Sequence, residues 1–194
     1  MPKSARSWAG VAPDDRKAER RTLLLDAAFE LLGTEGWSGT TVRAVCQAAQ
    51  LNPRYFYESF DDLDALVVAV YDRVGAELRV EVEKAAAKAT TLETVVRATV
   101  DRTVRFVDED RRRGRVLYHE ALGNEALNRR RREAANGLAE LIAAGSTDAK
   151  DRLNAAFVVG GFSEVLMAWL DGHIKVSRKR LIDQTTDLFL ALGR

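Results

Sequence analysis

All three prolines lie in the first 53 residues, at positions 2, 13 and 53, so residues 54–194 contain none. Because proline breaks the interior of a helix, so long a stretch without it favours helix throughout. No run of residues alternates apolar and polar side chains with the period of a strand. The sequence therefore predicts an all-α fold.

The composition is that of a soluble globular protein, with 194 residues, 46% of them hydrophobic, and a formal net charge of +1. This length allows one domain, or a small domain followed by a larger one. A single cysteine, Cys46, rules out an internal disulfide and any multi-cysteine metal site, which fits a reducing cytoplasm. The near-zero charge gives no global reason to expect nucleic acid as a partner.

No segment predicts export or membrane insertion. Residues 1–11 lack the apolar run of a signal peptide, and we interpret residues 1–13 as a flexible arm. The longest apolar stretch, residues 155–170, is interrupted by two glycines, a serine and Glu164, and is shorter than the roughly 20 residues that cross a bilayer. The stretch is predicted to be a buried or interface helix of a cytoplasmic protein without a membrane partner.

Apolar periodicity and helix start signals divide the chain into helices. The first four are predicted at about 14–33, 41–49, 53–59 and 61–89. Asp, Thr and Asn suit the starts of these helices, and Pro53 suits a first helical position. Five more are predicted near 91–108, 113–122, 125–144, 148–170 and 177–192.

Residues 40–59 have the spacing of a helix-turn-helix, in which two short helices are joined by a tight turn and the second enters a DNA major groove. Thr41 begins the first helix of the pair, where its hydroxyl and the free backbone N–H groups can hold a phosphate. Arg43 lies on an exposed face of the same helix. Both residues are predicted to position the protein on the DNA backbone.

The second helix of the pair carries the candidate base contacts. Asn52, Arg54 and Tyr55 lie near its N-terminal end, which is the end that meets base edges. Arg54 is the first candidate for recognising a guanine. Tyr57 points to a different side, from which its hydroxyl can reach the sugar-phosphate backbone, while Phe56 can anchor the helix in the core.

The stretch GWSGTTVRAV at residues 36–45, continued by AQLN at 49–52 and YESFDD at 57–62, is similar to the DNA-binding domain of the TetR family of transcriptional repressors. The similarity runs without a gap from about residue 16 to 66. It implies an N-terminal three-helix helix-turn-helix domain, residues 14–62, followed by a helical effector-binding and dimerisation domain, residues 63–194.

By this resemblance, seven residues occupy positions from which family members contact DNA: Thr41, Arg43, Asn52, Pro53, Arg54, Tyr55 and Tyr57. Two positions depart from the family pattern. Gln50 stands where the turn usually has glycine, so the backbone there must avoid or tolerate a left-handed conformation. Leu63 stands where the family usually has a phosphate-binding lysine, although the backbone amides of that helix start can still serve.

Other charged residues have two open interpretations. Lys17, Arg20 and Arg21 either contact the flanking DNA or form a solvated helix face. The arginine runs at 111–113 and 129–132 resemble a second nucleic-acid surface, but they are more simply solvated or paired with the acids at 108–110 and 133. Residues 1–57 hold a surplus of only two positive charges, so affinity for DNA must come from a few placed groups.

The remaining candidate residues have simple interpretations. Cys46 lies on the inner stripe of its helix and is predicted to be buried. His119 and His173 have no second ligand at helical spacing, so no metal site is predicted. Glu164 lies in an apolar helix, where it faces a dimer interface, lines a pocket or reaches solvent.

The last two long helices are predicted to form a homodimer interface, as the resemblance also implies. Glycines allow close approach on one face, and apolar residues of both helices complete it: Phe157, Gly160, Gly161, Val165, Ala168, Trp169, Leu181, Leu188 and Leu192. Four aromatic residues are candidate walls of an effector pocket or parts of the core: Phe106, Tyr118, Phe162 and Trp169.

The sequence thus predicts a homodimeric transcriptional regulator, a repressor that binds a palindromic double-stranded DNA operator and is released by a small-molecule effector, with the fourth helix as connector. No catalytic residue and no cofactor is predicted, since the sequence holds no nucleophile elbow, phosphate loop, metal cluster or triad. The alternative is a helical ligand-binding or interaction dimer that has lost operator recognition, which Gln50 and Leu63 keep open.

Overall fold

The computed structural model describes residues 13–143 and 146–192; the predicted arm lies outside them except for Pro13. Within these ranges the secondary structure is helical, without strands. The α-helices are α1 (Pro13–Thr34), α2 (Gly36–Gly39), α3 (Val42–Ala49), α4 (Pro53–Tyr57), α5 (Leu63–Ala86), α6 (Leu92–Glu109), α7 (Arg111–Gly114), α8 (Glu125–Ala143), α9 (Ala149–Leu170) and α10 (Arg178–Leu192). The predicted all-α fold is confirmed.

Short polar side chains begin the helices, as the sequence predicts. The Thr41 hydroxyl accepts the backbone N–H of Ala44 at the start of α3. Asn52 and Asp62 cap α4 and α5 in the same way, and Thr91 forms a capping box with Thr94 at the start of α6. Each cap accepts a hydrogen bond from a backbone N–H that the helix leaves free. The start of each helix can therefore be predicted from the few residues around it.

The segment after α6 departs from the single helix predicted at 113–122. Helix α7 is followed by a π-helical turn, Arg115–His119, and a 3₁₀ turn, Glu120–Leu122. Arg115 in this segment donates to the carbonyls of Gly33 and Thr34, and Glu120 accepts the N–H of Trp37. We attribute the irregular winding to these contacts with the end of α1, which no local signal reveals.

One continuous hydrophobic core joins the N-terminal helices to the rest of the chain. Leu24 of α1, Val45 of α3 and Phe56 of α4 are fully buried together with Leu66 near the start of α5. Further along α5, Val70 and its neighbours pack against α6 and the turns before α8. Helix α5 therefore belongs to both parts of the molecule, as expected of a connector.

Helix α9 is one unbroken element of 22 residues, as predicted for residues 148–170, and it extends beyond the apolar stretch that it contains. By length and composition it could cross a membrane, the one such helix in the described part of the chain. It packs against α8 and α10, and core helices of soluble proteins meet the same criterion. Several of its apolar side chains, Leu153 and Phe157 among them, lie on an uncovered face.

Candidate nucleic-acid interface

The seven predicted contact residues are all exposed on one short stretch, from the start of α3 to the end of α4. The side chain of Arg54 is 82% exposed. Phe56, on the opposite side of α4, is fully buried and holds the helix in the core. The two helices thus present their polar side chains outward from a fixed base.

The polar groups at the helix starts are partly engaged. Thr41 uses its hydroxyl oxygen as the cap of α3, which leaves its O–H available as a donor. Asn52 uses its Oδ1 to accept the N–H of Arg54 at 2.9 Å, which leaves its amide N–H groups free. Arg43 makes no ion pair within the described part of the chain.

The turn between α3 and α4 is left-handed at Gln50, with φ 56° and ψ 39°. Among the described residues, no other non-glycine residue has positive φ. Gln50 therefore tolerates the conformation for which glycine is usual, and the turn forms without it. Leu63, the second departure, is partly buried and packs against the core.

Two arginines of α1 brace the helix pair. The guanidinium of Arg20 lies 4.4 Å from the centre of the Tyr55 ring, and that of Arg21 lies 4.1 Å from the centre of the Phe60 ring. Arg21 also donates to the carbonyl of Ser59 at 3.0 Å. These side chains are thus engaged within the protein, and neither of the two interpretations left open for them foresaw this role.

Glu58 is a residue of this surface that the sequence analysis missed. Its carboxylate accepts from Nε of Arg54 at 3.1 Å and lies 3.4 Å from Nη2 of Arg20. The spacing of four residues between Arg54 and Glu58 is a helical ion-pair signal and could have revealed the first contact. The second contact spans 38 residues and requires the tertiary fold.

The arginines of the run at 111–113 pair with acids, and Arg130 does so in the run at 129–132, in line with the simpler interpretation. Arg112 contacts Asp110 and Glu30, and the hydrogen bonds from Arg112 hold the pKa of Asp110 below its usual range. Arg130 pairs with Asp72 and Glu133. These pairs tie α7 to α1 and α8 to α5.

A buried carboxylate connects the helix-turn-helix part to the body of the molecule. Glu120, with 7% of its surface exposed, accepts the N–H of Trp37 at 2.7 Å and pairs with Arg115 at 2.7 Å. Gly36 has φ +75°, and a Cβ there would lie 2.9 Å from Glu120 Oε2. The turn after α1 is therefore closely fitted to the carboxylate.

Cys46 is buried in α3, as predicted, and burial raises the pKa of its thiol. A thiol in this state is less reactive, because the thiolate is the reactive form. His119 lies 3.9 Å from Asp171, an exposed contact. Across residues 13–143 and 146–192, no group of three or more His, Cys, Asp or Glu side chains is placed to hold a metal ion.

One face of α9 is uncovered. Leu153 and Phe157 are more than two-thirds exposed, and Gly160, Gly161 and Glu164 follow them on the same helical stripe. Leu188 of α10 is also exposed, at 61%. By contrast Leu181, named above as part of this face, is buried in the core of the chain and is not available to a second copy.

The four aromatic residues named as pocket walls have mainly packing roles. Phe162 makes an edge-on contact with Phe189, and the indole N–H of Trp169 donates to the carbonyl of Val176. Tyr118 packs against the core. Phe106 is buried but also lines an open groove of about 490 Å³ between α5 and α6, whose rim carries Arg102 and other charged residues.

The fold and this surface define a helix-turn-helix protein with a larger helical body. Residues 24–70 match the model of the bacterial regulatory proteins of the tetR family. Over 116 residues the chain is 31% identical to an uncharacterised HTH-type transcriptional regulator of Haemophilus influenzae, a match that covers 59% of this chain and 56% of that relative. The matched part thus spans little more than half the length of the curated relative.

Solved structures share the fold across both parts. The fatty acid degradation regulator FadR from Bacillus halodurans superposes with a TM-score of 0.71 at 18% identity, covering 88% of this chain and 94% of that one. The transcriptional regulator FadR from Bacillus subtilis in complex with stearoyl-CoA gives a TM-score of 0.70 at 15% identity, with coverages of 88% and 97%. The helix-turn-helix part of the chain thus matches the tetR family of bacterial regulatory proteins, and the chain as a whole shares the fold of such regulators.

Proposed function

We propose that the protein is a DNA-binding transcriptional regulator, a homodimeric repressor that a small-molecule effector releases from a palindromic operator. The observation that carries the proposal is the exposed polar surface of α3 and α4, which is held in place by the buried side chain of Phe56. The match of residues 24–70 to a family of bacterial regulatory proteins supports it. A tight turn and a rigid base are what a helix needs to enter a major groove in a fixed register.

The seven exposed residues divide by chemistry. Thr41, Arg43 and Tyr57 suit phosphate or sugar contacts, which fix register without reporting sequence. Asn52 and Arg54 suit base edges, because an amide can donate to N7 and accept from N6 of adenine, and a guanidinium can donate to both O6 and N7 of guanine. Tyr55 adds a ring surface beside them. Pro53 fixes the first turn of α4, so that the N-terminal end of the helix faces the base pairs.

We propose that the chain has two domains, one for DNA and one for the effector and the second copy. Residues 14–62 form the DNA-binding domain in this proposal, and residues 63–194 form the effector-binding and dimerisation domain. The uncovered stripe of α9, which includes Phe157 and Gly160, and the exposed Leu188 of α10 support α9 and α10 as the dimer interface. Burial against a second copy would give the apolar α9 its missing partner.

Release from the operator requires an effector that distinguishes two arrangements of the domains. Helix α5 begins the second domain and packs against α1 of the first, and Glu120 ties the turn after α1 to the body. A regulator of the same fold, from Bacillus subtilis, is in complex with stearoyl-CoA, which supports a small molecule as the class of effector. A movement of the body around the effector would be passed to the recognition helix by these two connections.

The direct test is a gel shift with DNA that flanks the gene itself. We expect a retarded complex, and we expect Arg54→Ala to lose about 1–3 kcal/mol of binding free energy on that DNA if Arg54 contacts a base. Non-specific binding should change little, because the base contact is lost only where the preferred base is present.

Equal loss on all sequences would reassign Arg54 to a phosphate contact. Absence of any complex, for the wild-type chain across its flanking DNA, would favour the alternative of a ligand-binding dimer without operator recognition. Light scattering on the same sample measures the dimer independently, since a monomeric mass at micromolar concentration contradicts that part of the proposal.

A further inference from the structure

Glu58 is an acidic residue at the end of the helix that we propose enters the major groove. An exposed carboxylate there repels phosphate, so its presence needs a compensating role. Its two oxygens contact different arginines: Oε1 accepts from Nε of Arg54 at 3.1 Å, and Oε2 lies 3.4 Å from Nη2 of Arg20. The carboxylate therefore bridges the proposed base-contacting residue and helix α1.

The two arginines differ in freedom. Only 16% of the Arg20 side chain is exposed, and its guanidinium lies against the Tyr55 ring at 4.4 Å. Arg54 is 82% exposed and has no contact that would fix its side chain other than Glu58 in the described part of the chain. Arg20 is thus the fixed end of the chain of contacts, and Arg54 is the free end.

The contact with Glu58 uses only one N–H of the Arg54 guanidinium. The Nη groups keep their N–H donors, which can bind O6 and N7 of a guanine in a bidentate manner. A free arginine loses substantial rotamer entropy when it is fixed in a complex, and a side chain already held in place loses less. The ion pair therefore prepares Arg54 for one base.

We propose that Arg20 and Glu58 are positioning residues that set the base preference of Arg54. The inference rests on the proposed function, because it concerns how the same surface discriminates among DNA sequences. The proposal gives the Glu58 carboxylate two opposite effects on DNA binding. Its negative charge weakens the attraction to any duplex, while its contact with Arg54 strengthens the preference for the duplex that carries the preferred base. A residue that served only folding would weaken both kinds of binding together.

The test uses the full-length protein and two duplexes: a site selected by the wild-type chain, and the same site with the guanine opposite Arg54 replaced. Equilibrium binding is measured for the wild type, Arg54→Ala, Glu58→Gln and the double variant. Arg54→Ala should lose about 5- to 150-fold of the preference between the duplexes. Glu58→Gln should lose about three- to tenfold of it and should bind the replaced site as tightly as the wild type or more tightly.

In the double variant the loss should equal that of Arg54→Ala alone, because Glu58 acts through Arg54. Asp61→Asn is the matched control. Asp61 is exposed three residues further on and makes no hydrogen bond or ion pair in the described part of the chain, so its neutralisation should tighten binding to both duplexes without changing the preference. Arg20→Lys keeps the charge but loses the flat guanidinium, and should reduce the preference as Glu58→Gln does.

Four results would overturn the inference: an unchanged preference in Glu58→Gln, equal losses on both duplexes, a full additional loss in the double variant, or the same loss of preference in Asp61→Asn. These differ from failure of the proposed function, in which the wild-type chain itself prefers no duplex. Thermal unfolding of each variant checks that the protein is folded at the temperature of the binding measurement.

Discussion

Gln50 holds a backbone conformation that most side chains avoid, at the turn on which the relation of α3 to α4 depends. For an L-residue the left-handed region costs roughly 1–2 kcal/mol, and glycine is largely free of that cost. The turn is nevertheless built, because the N–H of Leu51 still bonds to the carbonyl of Cys46 at 2.9 Å and Asn52 caps the next helix. The departure from the family pattern is a local strain, compatible with an intact turn.

Replacement of Gln50 by glycine should therefore raise the free energy of unfolding by about 0.5–1 kcal/mol, since the relief of strain exceeds the entropy that glycine loses on folding. Chemical denaturation measures the change. Gln47→Gly is the matched control: Gln47 is exposed within α3, so glycine there should lower the same free energy by about 0.5–1 kcal/mol. A loss of stability in both variants would contradict the strain at position 50.

At the scale of elements, the buried Glu120 is the contact that fixes the turn after α1 to the π and 3₁₀ turns. It receives the backbone N–H of Trp37 and the guanidinium of Arg115, which itself reaches the last carbonyls of α1. The contact of Glu120 with Trp37 and that of Arg115 with Thr34 each join residues more than 80 positions apart. Removal of the negative charge leaves Arg115 without its closest acid and weakens the acceptor for Trp37.

Glu120→Gln should lower the free energy of unfolding by about 1–3 kcal/mol, as expected when one partner of a mostly buried charged contact is removed. Hydrogen exchange of the Trp37 amide should speed up more than exchange in the middle of α5. Glu109→Gln is the control, because Glu109 pairs with Arg102 at the surface and should cost less than about 1 kcal/mol. If the two substitutions lowered the free energy of unfolding equally, the proposed role of Glu120 as a structural link would be contradicted.

The sequence predicts those elements whose signals are local. Caps at Thr41, Asn52 and Asp62 and the apolar stripes of α1 and α5 lie within a few residues of what they determine, so these helices appear where expected. The positions proposed to contact DNA share this property, since they follow from two short helices and one turn. Their exposure agrees with the prediction, while contact with DNA is still a prediction.

Features that the sequence analysis missed depend on distant partners. Arg20 contacts Glu58 and Tyr55 because α1 packs against α4. The irregular segment after α7 likewise packs against α1. Helical periodicity predicts Leu181 on a dimer face, but periodicity cannot tell a core within one chain from an interface between two, and Leu181 is buried in the core. Only the packing of α10 against α6 resolves that choice.

At the scale of the whole molecule, the uncovered apolar stripe of α9 predicts that the protein works as a pair. Phe157→Glu should place a charge where the second copy packs, and should convert the dimer to a monomer because an unpaired charge is costly to bury. Light scattering at micromolar concentration measures the mass. Val80→Glu is the control, since Val80 is an exposed apolar residue of α5 and its change should leave the dimer intact. A Phe157→Glu dimer of wild-type strength would place the interface elsewhere.

We propose above all that α3 and α4 recognise a defined DNA sequence. Selection of bound duplexes from a random library by the wild-type protein tests it most directly. We expect enrichment of one approximate palindrome whose half-sites are centred about one helical turn, roughly 10 base pairs, or a little more apart, as two copies related by a twofold axis require. A library that shows no enriched sequence after repeated rounds, with protein that is folded and dimeric, would contradict the claim.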